Sequence, residues 1–167
     1  MPEQISVRVD IFDPELPQIF QRLVDQYRLN AKSLHLEITE TAYAESTDGL
    51  IAIAKSLSQS GFEIEMDDFG SGYSSLNMLS DLPFDILKID MGFVRNMHKS
   101  QKNELILKSI VDIAKYLNVR VVAEGVETKE QLDTLRRFGC DLIQGYYFSK
   151  PLPEEEFFQR VKGERAS

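Results

Sequence analysis

Two adjacent carboxylates followed by a glycine-rich turn form the most chemically suggestive stretch of this chain. Asp67 and Asp68 follow a strand-like run, and residues 69–73 (FGSGY) come directly after them. Adjacent carboxylates favour a nearby cation, and glycines let the backbone turn sharply and approach a ligand closely. This order of residues indicates a divalent metal beside a phosphate. A second interpretation is equally open on these residues alone, namely that the acidic pair caps a helix beginning near Ser74.

Polar side chains also follow the other predicted strands. Strand-like runs alternate with amphipathic helical stretches along the chain, which gives six strand–helix units and predicts a parallel sheet covered by helices. The carboxyl ends of parallel strands share one edge, where α/β folds place their active sites. The polar residues at or just past these ends are Glu37, Asp67, Asp68, Lys88, Asp90, Glu124 and Gln144. Helix capping is the alternative for each residue alone; we assign it to Asp90, but it explains the whole set poorly.

The residue types in this set suit metal-assisted chemistry on a phosphate. Carboxylates at one rim suit one or two Mg²⁺ or Mn²⁺ ions. Such ions lower the pKa of bound water and stabilise charge on a phosphoryl group. Lys88 lies among these acids, where it would orient the water, act as a base or stabilise the departing charge. The alternative for Lys88 is a structural salt bridge to a neighbouring carboxylate.

The elements that must position these residues are short. Predicted strands cover residues 5–9, 34–38, 62–66, 86–89, 119–123 and 142–143, and predicted helices cover residues 14–27, 46–60, 74–80, 103–117, 129–138 and 154–162. Asp13 is the expected cap of the first helix, with Pro14 at its first position. Five apolar residues are expected to share one face of the helix at 103–117: Leu105, Ile106, Ile110, Ile113 and Leu117.

The composition is that of one globular domain over residues 1–167, with 43% hydrophobic and 28% charged residues. The net charge of −8 disfavours DNA binding, and no apolar run is long enough to cross a membrane. The sequence has no zinc-site spacing and no Gly-x-Ser-x-Gly elbow, and His35 and His98 are expected to be surface or packing residues. Cys140 is expected to be a buried thiol. Without a disulfide framework or an export signal, the cytoplasm is the expected location.

Five segments together resemble the EAL domain, the cyclic di-GMP phosphodiesterase domain of bacteria. They occur in the family's order through almost the whole chain: residues 36–40 (LEITE), 67–76 (DDFGSGYSSL), 87–90 (LKID), 123–127 (AEGVE) and 144–152 (QGYYFSKPL). The resemblance implies a TIM-like (β/α) barrel. It also implies cyclic di-GMP as the substrate, with hydrolysis to linear pGpG that requires Mg²⁺ or Mn²⁺.

The resemblance also implies roles for individual residues. The implied metal ligands are Glu37, Asp67, Asp68 and Glu124. The implied catalytic residues are Lys88, which helps to activate water, together with Asp68 and Glu124. Glu127 and Gln144 correspond to residues behind the metal ligands or at the substrate. Glu40 corresponds to an acid that steadies the loop after Asp68, and this loop is linked in the family to metal binding and dimerisation.

Two departures from the family pattern concern the metal site. The chain has no Glu-Ala-Leu tripeptide, so the metal-binding Glu of that segment is expected upstream of Met1. Residues 5–10 (ISVRVD) align with the family's Asn-x-Ser strand, and Arg8 stands where that Asn binds metal. Arginine cannot coordinate a cation, and its charge opposes metal binding at close range, although it can contact a phosphate directly. The alternative is that the alignment slips by one residue and Arg8 points away, which the fit of residues 13–16 (DPEL) disfavours.

Six units are fewer than the eight of a TIM barrel, so we expect an incomplete barrel that lacks its first strands. Open sheet edges invite pairing with another chain, and a homodimer or a complementing chain is therefore expected. Three functions stay open. The first is a phosphodiesterase that is weak or inactive alone, and the second is a non-catalytic module that binds cyclic di-GMP or a protein. In the third, the chain is a piece of a larger sensory protein.

Overall fold

The chain folds into one parallel sheet flanked by helices. The computed structural model describes residues 5–8, 13, 15–45, 47–70 and 76–164. The strands are β1 Ile5–Arg8, β2 Leu34–Thr39, β3 Glu63–Phe69, β4 Ile86–Ile89, β5 Arg120–Ala123 and β6 Leu142–Ile143. They pair in chain order, and every pairing is parallel. The predicted α/β architecture with six strands is therefore confirmed.

Eight α-helices lie in the described part of the chain. They are α1 Leu16–Tyr27, α2 Glu40–Glu45, α3 Thr47–Gln59, α4 Leu76–Asp81, α5 Met91–Asn96, α6 Gln101–Tyr116, α7 Lys129–Phe138 and α8 Glu154–Glu164. The sequence-based prediction did not include α2 and α5, which have six residues each. None of these helices has the length and apolar character needed to cross a bilayer.

Local hydrogen bonds explain where two of the helices begin. Thr128 caps α7 in a capping box with Gln131, and Gly139 ends the helix in a left-handed conformation. The predicted bounds of α7 are therefore correct. The predicted cap of α1 is wrong, because the helix begins at Leu16 and its N-cap is Glu15. The Asp13 carboxylate accepts a hydrogen bond from the Glu15 N–H and so forms a turn before the helix, while Pro14 lies outside the described residues.

Strand alternation separates an apolar face of the sheet from a polar one. The apolar face packs against the helices, and its strand residues in the core include Leu36, Ile38, Ile64, Met66, Leu87, Ile89, Val121 and Ala123. The opposite face borders a cavity of about 380 Å³ that is lined by Glu37, Glu65, Lys88 and neighbouring residues. The polar face is therefore the one that carries residues capable of chemistry.

The buried face of α6 differs from the prediction. Leu105, Ile106 and Leu117 are exposed, whereas Leu107 and Val111 are fully buried together with Ala114. Both stripes of this helix are apolar, so periodicity alone does not decide which one packs. The structure selects the stripe with the smaller side chains, which lets the helix approach the sheet closely.

Candidate active site at the strand ends

Lys88 lies at the centre of a cluster of carboxylates. Its Nζ atom is 2.7 Å from Glu37 Oε1, 2.9 Å from Asp67 Oδ1 and 3.0 Å from Glu124 Oε1. Glu37 comes from β2, Asp67 from β3 and Lys88 from β4, and Glu124 directly follows β5. All four side chains are at most 20% exposed. The structure therefore brings together four of the residues that were singled out because they lie at strand ends.

Lys88 is held in its protonated form by this environment. Burial, the largest single influence, lowers the pKa of Lys88, but the hydrogen bonds that its ammonium donates to Glu37, Asp67 and Glu124 together raise that pKa above its ordinary value. In this geometry Lys88 donates to three carboxylates. Of the roles that the sequence left open for Lys88, orientation of a nearby group and stabilisation of negative charge fit such a donor.

Glu124 shows the opposite balance. Burial raises the pKa of Glu124, and the negative charges of Asp67 and Glu37 raise it further. The hydrogen bond and the positive charge of Lys88 lower this pKa, but they do not cancel the increase. Crowded carboxylates in a partly buried position favour additional positive charge nearby, and such perturbed groups are typical of functional sites.

The two adjacent acids occupy different environments. The pairing of β3 with β4 shifts register between Met66 and Phe69, and Asp68 adopts a left-handed backbone with φ of 57°. A bulge of this kind re-aims side chains. Asp67 is buried in the cluster at 5% exposure, while Asp68 is only half-buried. The sequence-based prediction ended β3 at residue 66; the strand continues to Phe69 because the acidic pair is part of this irregular pairing.

Glu40 contacts the backbone just beyond the acidic pair. Gly70 N donates to Glu40 Oε2 at 3.4 Å, and Glu40 is buried at 7% exposure. This contact fits the loop-steadying role that the family resemblance implies for Glu40. The loop at residues 71–75 lies outside the described residues, and so does the predicted helix start near Ser74, so the capping interpretation of the acidic pair stays untested.

An open cleft begins beside the carboxylate cluster. Its volume is about 760 Å³, and Glu124, Glu127 and Gln144 are among the residues that line it. Glu127 Oε1 accepts from Arg95 Nη2 at 2.8 Å, and both side chains are exposed. Gln144 also borders the inner cavity. These two implied substrate-site residues therefore lie next to the cluster rather than inside it.

The remaining strand-end residues have simple placements. Asp90 caps α5, because its Oδ1 accepts from Gly92 N at 2.7 Å, and the capping prediction is confirmed. Arg8 pairs in register with Glu37 in the β1–β2 ladder; its side chain lies outside the described residues. Cys140 is a free, partly buried thiol, and burial raises the pKa of this thiol to about 11.

A second polar layer on the same face of the sheet was not predicted from the sequence. His35 is fully buried, its Nδ1 contacts Glu65, and its Nε2 lies 3.3 Å from Glu63 Oε2. Arg120 also forms an ion pair with Glu63. His35 precedes Glu37 by two positions, as Glu65 precedes Asp67. The alternation of polar residues along β2 and β3 is the pattern that would have revealed this layer.

The donor chemistry at the cluster suits a hard divalent cation, since the candidate ligands are carboxylate oxygens. Among the residues that the structure describes, however, no group of three or more Asp, Glu, His or Cys side chains is arranged to hold a metal ion. In the described geometry, the carboxylates of Glu37, Asp67 and Glu124 instead lie 2.7–3.0 Å from the Lys88 ammonium. The residue types fit a metal, whereas their described arrangement is closed around the lysine.

Comparisons with known proteins identify the family. The model of the EAL domain matches residues 2–151. The cyclic di-GMP phosphodiesterase NbdA of Pseudomonas aeruginosa is 42% identical over 146 residues, which are 86% of this chain and 19% of NbdA. The chain thus spans about a fifth of that relative's length.

Solved structures agree with the family match. The PaMucR phosphodiesterase, solved as a complex with c-di-GMP, superposes on this chain with a TM-score of 0.83 at 35% identity. The superposition covers 92% of this chain and 64% of the PaMucR chain. BlrP1 of Klebsiella pneumoniae, solved with manganese and cyclic di-GMP, gives a TM-score of 0.82 at 31% identity. The superposition covers 90% of this chain and 39% of the BlrP1 chain. The chain belongs to the EAL domain family and has its TIM-like α/β fold.

Proposed function

We propose that this chain carries a cyclic di-GMP site whose chemistry is the opening of one phosphodiester bond to give linear pGpG. The observation that carries the proposal is the convergence of Glu37, Asp67 and Glu124 on Lys88 at the carboxyl ends of the sheet. The names of NbdA and of the PaMucR complex point to the same ligand and reaction in relatives. The cleft beside Glu124 is large enough for part of a nucleotide.

In this proposal each residue has a distinct role. The residues that would hold Mg²⁺ or Mn²⁺ are Glu37, Asp67, Asp68 and Glu124. When bound, such an ion lowers the pKa of a water ligand and offsets phosphoryl charge. Lys88 stays protonated and donates hydrogen bonds, so it stabilises negative charge and orients a nearby acceptor. Gln144 and Glu127 orient the nucleotide where the cleft meets the cluster.

We also propose that turnover by this chain alone is slow. Arg8 is in register with Glu37 in the β1–β2 ladder, and we infer that a permanently charged residue at this register position disfavours cation binding. The same register favours a second candidate function, a non-catalytic cyclic di-GMP site in which Arg8 contacts a phosphate.

One experiment separates these functions. Cyclic di-GMP binding is measured by calorimetry and pGpG formation by chromatography, with and without Mn²⁺, for wild type, Asp67→Asn and Arg8→Ala. The proposed site predicts Mn²⁺-dependent pGpG formation that Asp67→Asn reduces by about a hundredfold or more, as for loss of a key charged group. Lys129→Ala, a change at an exposed ion pair that does not line the cleft, should have no effect.

The remaining outcomes decide between the candidates. Metal-independent binding without pGpG, lost in Arg8→Ala, supports the non-catalytic site and overturns slow hydrolysis. If neither binding of cyclic di-GMP nor formation of pGpG is observed, both functions are overturned. Arg8→Asn should raise the Mn²⁺ affinity, and an unchanged affinity would contradict the charge argument for Arg8.

We further propose that the chain self-associates through the edges of its sheet. Among the described residues, β1 pairs only with β2, and β6 pairs only with β5. Open strand edges are templates for pairing with another chain. The apolar residues exposed beside the β6 edge support this proposal: Leu142, Tyr146, Tyr147 and Phe148.

A further inference from the structure

Gln131 connects three parts of the structure although it lies outside the carboxylate cluster. Its side chain is buried, with 8% exposure. Its Oε1 accepts from Glu127 N at 2.8 Å and from Thr128 N at 3.0 Å, and its Nε2 donates to Val94 O at 3.4 Å. One amide therefore joins the start of α7, the loop after β5 and the helix α5.

The orientation of this amide is fixed by its partners. Two backbone N–H groups point at one atom of the side chain, and only an oxygen can accept from both. The amide nitrogen then faces the carbonyl of Val94, which also accepts from the Met97 N–H. A glutamine satisfies all three groups at once, whereas a glutamate would satisfy only the two N–H groups. An ordinary capping box is satisfied by either residue, so the contact with Val94 is additional to capping.

The contact with Val94 links the two units that meet in the candidate active site. Lys88 lies in β4, and Val94 lies in the helix that directly follows β4. Glu124 lies at the start of the loop that Gln131 holds. The distance of 3.0 Å between Lys88 Nζ and Glu124 Oε1 spans the same pair of units. The Glu124 N–H itself donates to Ile89 O at 3.2 Å, and the contact with Val94 fixes the rest of the loop to α5. Together these bonds limit how far Glu124 can move from Lys88.

Other contacts join the same elements. Arg95 of α5 pairs with Glu127 of the loop, but the two side chains are 52% and 43% exposed, and exposed ion pairs contribute little and are screened by salt. Met91 of α5 lies against Gly125, where an added Cβ atom would be 2.4 Å from the Met91 Cβ. The contact of the buried Gln131 amide with Val94 O is 3.4 Å long and is not screened.

We propose that Gln131 is a positioning residue, which ties the loop carrying Glu124 to α5 and so holds Glu124 against Lys88. Gln131 does not touch the reacting atoms. The inference concerns the Lys88–Glu124 contact of the chain without ligand, so it does not depend on the proposed hydrolysis.

The test uses the solvent exchange of the Lys88 ammonium group, measured by ¹⁵N NMR on the lysine-labelled chain. The signal is assigned by its loss in Lys88→Met. Gln131→Glu keeps both N–H acceptors but loses the donor to Val94. We expect the Lys88 ammonium to exchange about three- to tenfold faster in this variant, the factor that one neutral hydrogen bond contributes. The Glu127 and Thr128 amides should stay protected, which shows that the cap is intact.

Two further variants make the outcome decisive. Thr134→Val removes a buried hydroxyl from the same helix, one that accepts from Arg137, and it should leave Lys88 exchange unchanged. Gln131→Ala should accelerate exchange at Lys88 and also release the Glu127 and Thr128 amides. The decisive comparison is the exchange rate of the Lys88 ammonium in Gln131→Glu and in Thr134→Val. If the two rates are equal while the Glu127 and Thr128 amides stay protected, Gln131 is only a helix cap and the proposal is overturned.

Discussion

Lys88 is the residue whose removal should disturb the site most. Lys88→Met keeps most of the side-chain volume but leaves Glu37, Asp67 and Glu124 close together without their counter-charge. Because these groups are largely but not fully buried, we expect the free energy of unfolding at pH 7 to fall by about 2–4 kcal/mol, somewhat less than for a fully buried pair. Urea unfolding followed by circular dichroism measures this loss.

The loss in Lys88→Met should depend on pH. The pKa of Lys88 is raised in the folded state, so its contribution to stability is complete below the ordinary lysine pKa and disappears only as the pH rises through the folded value. The pKa of Glu124 is also raised, so ionisation of Glu124 opposes folding as the pH rises above its ordinary pKa. Without Lys88 this opposition grows, and the variant should lose more stability at pH 7 than at pH 4.

Two observations would check this pH dependence. Equal losses at pH 4 and pH 7 would show that the carboxylates around Lys88 are not electrostatically coupled. Lys129→Met serves as the control, because Lys129 forms an exposed ion pair within one helix. It should leave the unfolding transition essentially unchanged at both pH values.

The sequence predicted part of the residue arrangement for a clear reason. Glu37, Asp67 and Glu124 meet at Lys88 because parallel strands deliver their carboxyl ends to one edge, and this needs only the strand assignment. The orientation of Asp68 was not predictable in the same way, since it depends on a bulge between β3 and β4. The His35–Glu65 contact was not predicted, because it depends on the register of β2 against β3, in which His35 pairs with Glu63, and neither strand contains this register by itself.

Among the elements, α5 and the turn after β3 approach each other very closely. Gly70 has φ of 95°, and a Cβ atom there would lie 2.0 Å from the Phe93 ring. Gly70→Ala should therefore destabilise the chain by about 2–4 kcal/mol, through left-handed backbone strain and overpacking together. Thermal and urea unfolding both report this change.

Gly61→Ala is the matched control for this prediction. Gly61 has a similar φ of 89°, but a Cβ atom there would lie 3.9 Å from its nearest neighbour. This variant should therefore show only the backbone strain, about 1–2 kcal/mol. Equal losses in the two variants would mean that Phe93 moves aside without cost and that the approach of α5 is loose.

The accuracy of the predicted elements followed the strength of their local features. The bounds of α7 were correct because Thr128 and Gly139 mark its two ends. The bounds of β4 and β6 were also correct. The short helix α5 has a capping residue, Asp90, at its start but too few residues to show a period, and it carries the Val94 carbonyl that Gln131 contacts. Tertiary contacts of this kind cannot be read from one element alone.

For the molecule as a whole, the order of the strands and the open edges of the sheet were both predictable. Alternating units with short connections pair in chain order, as observed from β1 to β6. The open edges were expected because six units are fewer than the eight that close a TIM barrel. The consequence is a sheet with two unpaired edges among the described residues, next to exposed aromatic side chains such as Phe148 and Phe157.

These edges make the association state of the chain a direct test of the molecule's architecture. Unpaired parallel edges beside exposed apolar residues favour a second copy, so sedimentation velocity should show a concentration-dependent dimer. Leu142→Lys places a charge on the exposed edge strand and should shift the chain towards monomer. Leu105→Lys alters an exposed leucine on α6 and should leave the dimer intact. A wild-type monomer at every concentration would contradict edge pairing, and a dimer lost only in Leu105→Lys would place the interface on α6 instead.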